Sequence, residues 1–350
     1  MEKSRIIWAD ILRILAVFAV IVLHVGFIGF GNIDVRSLDW QILNIFESLV
    51  RWCVPVFVML SGMFLLDPEK NINTKKIFSK YILRVVCALF FWGILYNIYT
   101  MWLKYYLDGT EFSFINVLKI PFKLISGPPW RHLWFLYTIT GLYLITPIVR
   151  IFTKFAQRKD IEYLLGLFVI FGTITPVLNH FLKSPINFTL VEFSGYLGYY
   201  IAGYYFSKFE LSKVVTSLLY VGMILSIVAT AALTSFISVR HISANYFWYG
   251  NLLPTTMLIS FGLFVFFKKT FLNIKVSDKI YQVINYLSEC TFGIYLVHWF
   301  AISMIDVANI KTVTYSPLLS VPILSVFVFV VSFLAIVTIK KIPVLSKFII

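Results

Sequence analysis

Apolar residues run in blocks of about twenty along the whole chain, without the strict alternation that marks strands. Ten such blocks predict membrane-spanning helices, at 7–30, 42–66, 82–103, 133–149, 162–182, 190–207, 214–236, 247–267, 287–305 and 317–339. Continuous rather than alternating runs argue against a β-barrel. The expected fold is therefore an all-α, polytopic membrane protein. The sixth block is the least regular, short and rich in Gly and Tyr (SGYLGYYIAGYYF). Polar side chains interrupt the blocks at few places: Asp10, Arg13 and His24 in the first, Glu47 and Arg51 in the second, Glu192 in the sixth and His298 in the ninth.

Composition supports this reading. The 350 residues are 60% hydrophobic with a mean hydropathy of +0.87, above the roughly 45–50% of soluble domains. The longest outer loop, about 104–132, and the short segment after the last block leave no room for a soluble domain, so residues 1–350 are expected to form one integral-membrane domain. The first block is too long, and carries charges too deep, for a cleavable signal peptide. Cys53, Cys87 and Cys290 lie in or near spans, show no metal-ligand spacing and read as packing residues.

Charge sets the expected orientation. Of the 30 Lys and Arg residues, 19 fall in segments that lie inside if the N-terminus is inside, 8 fall in the outer loops, and Arg13, Arg51 and Arg84 lie in the helices. The positive-inside rule then puts both termini in the cytoplasm, in agreement with an even number of spans. The net charge of +14 resides mostly in cytoplasmic loops facing anionic lipid, so it does not call for a nucleic-acid partner.

Chemistry can reside only in the polar groups within the spans. Arg13 and His24 are eleven residues apart. At 3.6 residues per turn they share a helix face to within about 20° and stand roughly 16 Å apart along the axis. Ionisable groups in lipid are costly and usually face a protein interior or a watery path. Asp10, three residues before Arg13, can pair with it or orient it. A plain structural reading stays open, with Asp10 and Arg13 snorkelling and His24 a satisfied core histidine. Glu47 and Arg51 have the spacing and order of a helix ion pair. Glu192 can partner Arg51 or orient a histidine, or be an ordinary interfacial carboxylate. Arg131 and His132, at the mouth of the fourth span, can contact an acceptor or a phosphate, or simply end a solvated loop. His298, in TFGIYLVHWF, closes an aromatic run near the outer face and can line a site. Ser61-Gly62 suits close helix packing better than catalysis, and Arg84 is expected to snorkel. No metal site is expected.

The same residues carry a family resemblance. Arg13-x10-His24, with RWCVPVFVMLSGMFLL in the second span (Arg51, Pro55, Ser61-Gly62), resembles the signature of membrane acyltransferase family 3. HLWFLYTITGLYLITP, GYLGYYIAGYYF and TFGIYLVH are similar to later family segments. Without the extracytoplasmic hydrolase-like domain of some relatives, the chain resembles the stand-alone O-acetyltransferases of bacterial surface glycans, such as those acting on enterobacterial common antigen. The resemblance implies transfer of an acyl group, acetyl by preference, from cytoplasmic acyl-CoA to a hydroxyl of a cell-surface or lipid-linked polysaccharide, in a bacterial cell membrane. It implies no bound cofactor, acyl-CoA being the donor substrate. Arg13 is then expected to hold a phosphate or the pantetheine amides of the donor, His24 to act as general base and Arg51 to stabilise the oxyanion. His24 as a transiently acylated nucleophile stays open. Two other classes remain: an exporter or permease for a glycan or small solute, which polar residues along a pore would serve equally well, and a membrane binding or sensor module.

Overall fold

The computed structural model describes residues 6–110, 114–127, 130, 132–182 and 190–350; of residues 32, 190–194, 344 and 347 only the backbone is described. Among these residues all regular structure is helical. The helices are α1 (Ile7–Gly26), α2 (Leu38–Val50), α3 (Cys53–Leu65), α4 (Leu83–Asp108), α5 (Phe114–Ser126), α6 (Trp134–Phe155), α7 (Arg158–Leu167), α8 (Thr175–Phe181), α9 (Leu190–Lys208), α10 (Lys213–His241), α11 (Pro254–Phe271), α12 (Asp278–Val307), α13 (Pro317–Ile339) and α14 (Pro343–Phe348). α7 and α8 are joined through a π-helical stretch, Phe168–Ile174.

Nine helices or continuous helix pairs among the described residues are long and apolar enough to cross a bilayer. They correspond to nine of the ten predicted blocks, and the protein is an all-α polytopic membrane protein. The tenth block, 190–207, is α9, which falls outside that set. Its helix is broken at Gly195, where φ is −19° and ψ is −113°, the irregularity that its glycine content foreshadowed.

The chain divides into two compact units. The first comprises Met1–Asp67 and Thr153–Leu334. Its helices start where the sequence offers an oxygen to the orphan amides of a first turn. Ser37 accepts from the Trp40 amide (3.2 Å), Ser212 from Val215 (3.2 Å) and Ser277 from Ile280 (3.5 Å). Pro254 opens α11, a position where its missing N–H costs nothing. Pro55 explains the interruption between α2 and α3. It has no N–H to donate to the Arg51 carbonyl one turn back, and regular bonding resumes with the Val56 amide on Trp52 (3.0 Å).

α1 buries Trp8, Leu12, Ala16 and Ala19 against its neighbours α2, α3 and α12. α3 and α9 cross with their backbones nearly touching. A Cβ on Gly62 would stand 1.8 Å from the Tyr200 carbonyl oxygen, and one on Gly203 the same distance from that of Met59. Only glycine fits at this crossing, the packing role expected of the Ser61-Gly62 pair. The Ser61 hydroxyl is spent on the Phe57 carbonyl of its own helix (2.9 Å).

The second unit comprises Pro68–Phe152 and Ala335–Ile350. Here the structure adds two features to what the sequence suggested. Arg84 does not simply snorkel: its Nε donates to the Ile350 carbonyl (2.8 Å), while the Trp92 indole donates to that of Ile349 (2.8 Å). These bonds dock the C-terminal segment on α4. The outer loop read at about 104–132 contains α5.

Candidate active site

The site is assembled by α1 and α12 in the first unit. Two points of contact fix their relation. Near the start of α1, Ser288 of α12 donates to Asp10 Oδ1 (2.5 Å), and Arg13 Nη1 donates both to Asp10 Oδ1 (3.1 Å) and to the Ser288 hydroxyl (3.1 Å). Near the end of α1, the imidazoles of His24 and His298 stack, with centroids 5.3 Å apart and planes 20° from parallel. Residue numbers rise together on both helices, so α1 and α12 run parallel. Ten residues separate Ser288 from His298, a rise of about 15 Å, which matches the roughly 16 Å from Arg13 to His24. The predicted shared face of Arg13 and His24 is thus the face covered by α12.

The two ends differ chemically. At the first, Asp10 is buried, and the Arg13 side chain retains 29% exposure. The Arg13 guanidinium also lies over the Phe64 ring, 5.3 Å from its centroid. This is a charge-assisted cluster with an accessible cation, suited to an anionic or amide-rich ligand.

At the second end His24 is half-buried and His298 wholly buried. Trp299 packs its edge against His24, with centroids 4.8 Å apart. His298 Nδ1 lies 2.5 Å from the Tyr295 carbonyl oxygen. A carbonyl can only accept, so Nδ1 carries the proton and Nε2 of the neutral ring carries the lone pair.

Arg51 and Glu47 are buried together as an ion pair. Arg51 Nε also donates to the Glu47 carbonyl (3.2 Å). Its guanidinium lies over Tyr249, 4.0 Å from the ring centroid, and 5.6 Å from that of Phe27. Tyr249 is held in turn, its hydroxyl donating to Asn44 Oδ1 (2.7 Å), while Asn44 Nδ2 donates to the Ala231 carbonyl (2.9 Å). The helix ion pair read from the spacing is present, and it is enclosed by aromatic rings. Glu47 also reaches α1: a Cβ on Gly26 would stand 2.7 Å from Glu47 Oε1. The end of α1 at Gly26, with Phe27 just after it, is therefore seated on the Glu47–Arg51 pair.

The other expected site residues are distributed differently. The side chain of Glu192, and Arg131, lie outside the described residues; Glu47 is the carboxylate on Arg51 among those described. His132 is buried in the second unit, where Tyr96 meets it edge to face at 5.1 Å and stacks on Trp130 at 5.5 Å. Sequence reasoning missed Ser288, Tyr249 and Trp299. The spacing of ten between Ser288 and His298, beside the eleven between Arg13 and His24, was the one available signal for the first. Among the described residues no cluster of His, Cys, Asp and Glu is arranged to hold a metal ion.

No curated protein and no solved structure matches the chain. A family model described as an acyltransferase domain matches residues 6–337, nearly the whole chain, and the protein belongs to that family, the membrane acyltransferases of family 3.

Proposed function

We propose that this acyltransferase takes its acyl group, acetyl by preference, from cytoplasmic acyl-CoA and passes it to a hydroxyl of a cell-surface or lipid-linked polysaccharide. The observation that carries the reading is the pair of clusters on one helix face. The accessible cation Arg13 stands at one end, and an imidazole pair stands at the other, about one pantetheine length away. Both termini lie in the cytoplasm in this reading, so the Arg13 end faces the CoA pool. Arg13, held by Asp10 and Ser288, binds the phosphate or amide groups of the donor arm. The thioester then lies beside His24.

His24 accepts the proton of the acceptor hydroxyl as its oxygen attacks the thioester carbon. The tetrahedral intermediate collapses with cleavage of the C–S bond, and the CoA thiolate leaves with the proton returned by His24. Direct transfer is favoured over an acyl-enzyme. Ser61 is engaged with its own helix, and Cys53 and Cys290 are buried. His298 holds the face of His24. Arg51, enclosed by Glu47, Tyr249 and Phe27, is assigned to positioning this end of α1 rather than to direct contact with the oxyanion.

The test is transfer of label from radiolabelled acetyl-CoA to a panel of lipid-linked glycans by the purified chain in lipid bilayers. His24→Ala is expected to lower kcat by about 10²–10⁴-fold with the protein still folded in the membrane. Undiminished transfer by that variant overturns the assignment of the base. Solute flux without acyl transfer moves the protein to the exporter class.

A further inference from the structure

α5 was not expected, and its surface divides into three sectors. At 100° per residue, Phe114, Ile115, Leu118, Phe122 and Ile125 fall in a sector of about 100°. All five are exposed, at 68, 63, 58, 73 and 74% respectively. Next round the helix come Ser126, Lys119, Lys123 and Asn116, also exposed. The remaining sector holds Ile120 and Leu124, both buried, with Val117 and Pro121 half-buried. That last sector packs on α4. The C-terminal end is secured by the Tyr137 hydroxyl, which donates to the Leu124 and Gly127 carbonyls. α5 is thus a docked helix with one face on protein, one polar face and one bare apolar face.

The neighbouring end of α4 sets the depth. Tyr99, Trp102 and Tyr106 stack in a ladder along its last turns, with centroids 6.2 and 5.7 Å apart. Trp102 and Tyr106 are 51 and 70% exposed. Exposed Trp and Tyr at the end of a span mark the level of the lipid headgroups. A short helix at that level, with five large apolar side chains on one sector and lysines on the next, has the layout of a helix lying in the membrane plane.

We propose that α5 is an interfacial membrane anchor: Phe114, Ile115, Leu118, Phe122 and Ile125 enter the acyl-chain boundary, and Lys119 and Lys123 lie at the phosphate layer. The occupant of the bare face is the phospholipid leaflet itself. The complementary charge of the two lysines beside the apolar stripe favours it over a second copy of the chain, which would have to desolvate them.

The test uses the full chain in bilayers of phosphatidylethanolamine and phosphatidylglycerol. Single cysteines at Phe122→Cys, Ile125→Cys and Lys119→Cys carry a nitroxide, and the labelled parent chain corrects for Cys53, Cys87 and Cys290. Collision rates with oxygen and with a water-soluble nickel chelate give immersion depth. At 122 and 125 oxygen is expected to dominate, by severalfold over 119, where the chelate dominates. Dominance of the chelate at 122 and 125 would mean a solvated face and would overturn the proposal. Protection from both reagents there would place a second protein surface on α5 and overturn it equally. Two labelled positions on one face keep the result readable should either variant fail to fold.

Discussion

Two arginines of this chain each stand within four residues of a carboxylate on the same face, and their surroundings make them different instruments. Arg13 is 29% exposed, and it shares Asp10 with a hydroxyl from another helix. The Arg51 side chain is 9% exposed and its Glu47 partner fully buried, with Tyr249 and Phe27 over the guanidinium. A partly wet cation can exchange a neighbour for a ligand at low cost. A dry one can do so only by leaving its counter-ion uncompensated in a low dielectric, which is expensive. The same residue type at nearly the same spacing is therefore suited to ligand capture in one place, the role proposed for Arg13, and to architecture in the other.

The comparison can be broken most directly at Glu47. Glu47→Ala leaves Arg51 buried without its carboxylate and is expected to destabilise the protein by about 3–5 kcal/mol, read from unfolding in detergent. Wild-type stability would mean that Arg51 is not architectural. Arg13→Ala is expected to raise KM for acyl-CoA by roughly the tenfold or more that hydrogen bonds to a charged group of about 1.5–3 kcal/mol represent, with the unfolding midpoint nearly unmoved. An unchanged KM would remove Arg13 from the donor site. Gly26→Ala presses a methyl on Glu47 Oε1 and is expected to cost about 1–3 kcal/mol, sharpening the claim that α1 rests on the ion pair. A neutral result there would uncouple the two. The smallest effect is expected from Ser288→Ala, about 0.5–1.5 kcal/mol, accompanied by a modest rise in KM because Arg13 and Asp10 lose their shared partner. A change in kcat alone would contradict that placement.

What could be read in the sequence were the relations within one helix. The shared face of Arg13 and His24 and the pairing of Glu47 with Arg51 follow from helical periodicity, and each appears in the structure, whereas the interruption at Pro55 fell inside a span expected to be continuous. What joins distant segments was not legible. Nothing in the sequence says that Tyr249 covers Arg51, because that contact is set by the path of the chain into α11 and by the Asn44 hydrogen bond. α5 escaped notice for another reason. Its apolar residues serve two faces, one against α4 and one bare, so no single stripe stands out, and Pro121 within it suggests a loop.

The parallel seam of α1 and α12 has a consequence in time. The seam brings together residue 24 and residue 298, and a ribosome adding about 5–20 residues each second takes roughly 15–55 s to travel between them. During that interval the first helix must dwell in the translocation machinery or the lipid with no α12 beside it. Asp10 and Arg13 can neutralise one another locally from the start, which eases entry of that end. His24 meets the His298 and Trp299 rings only once α12 has been made. The nascent chain thus lacks the α12 side of the proposed site until residue 298 has been added.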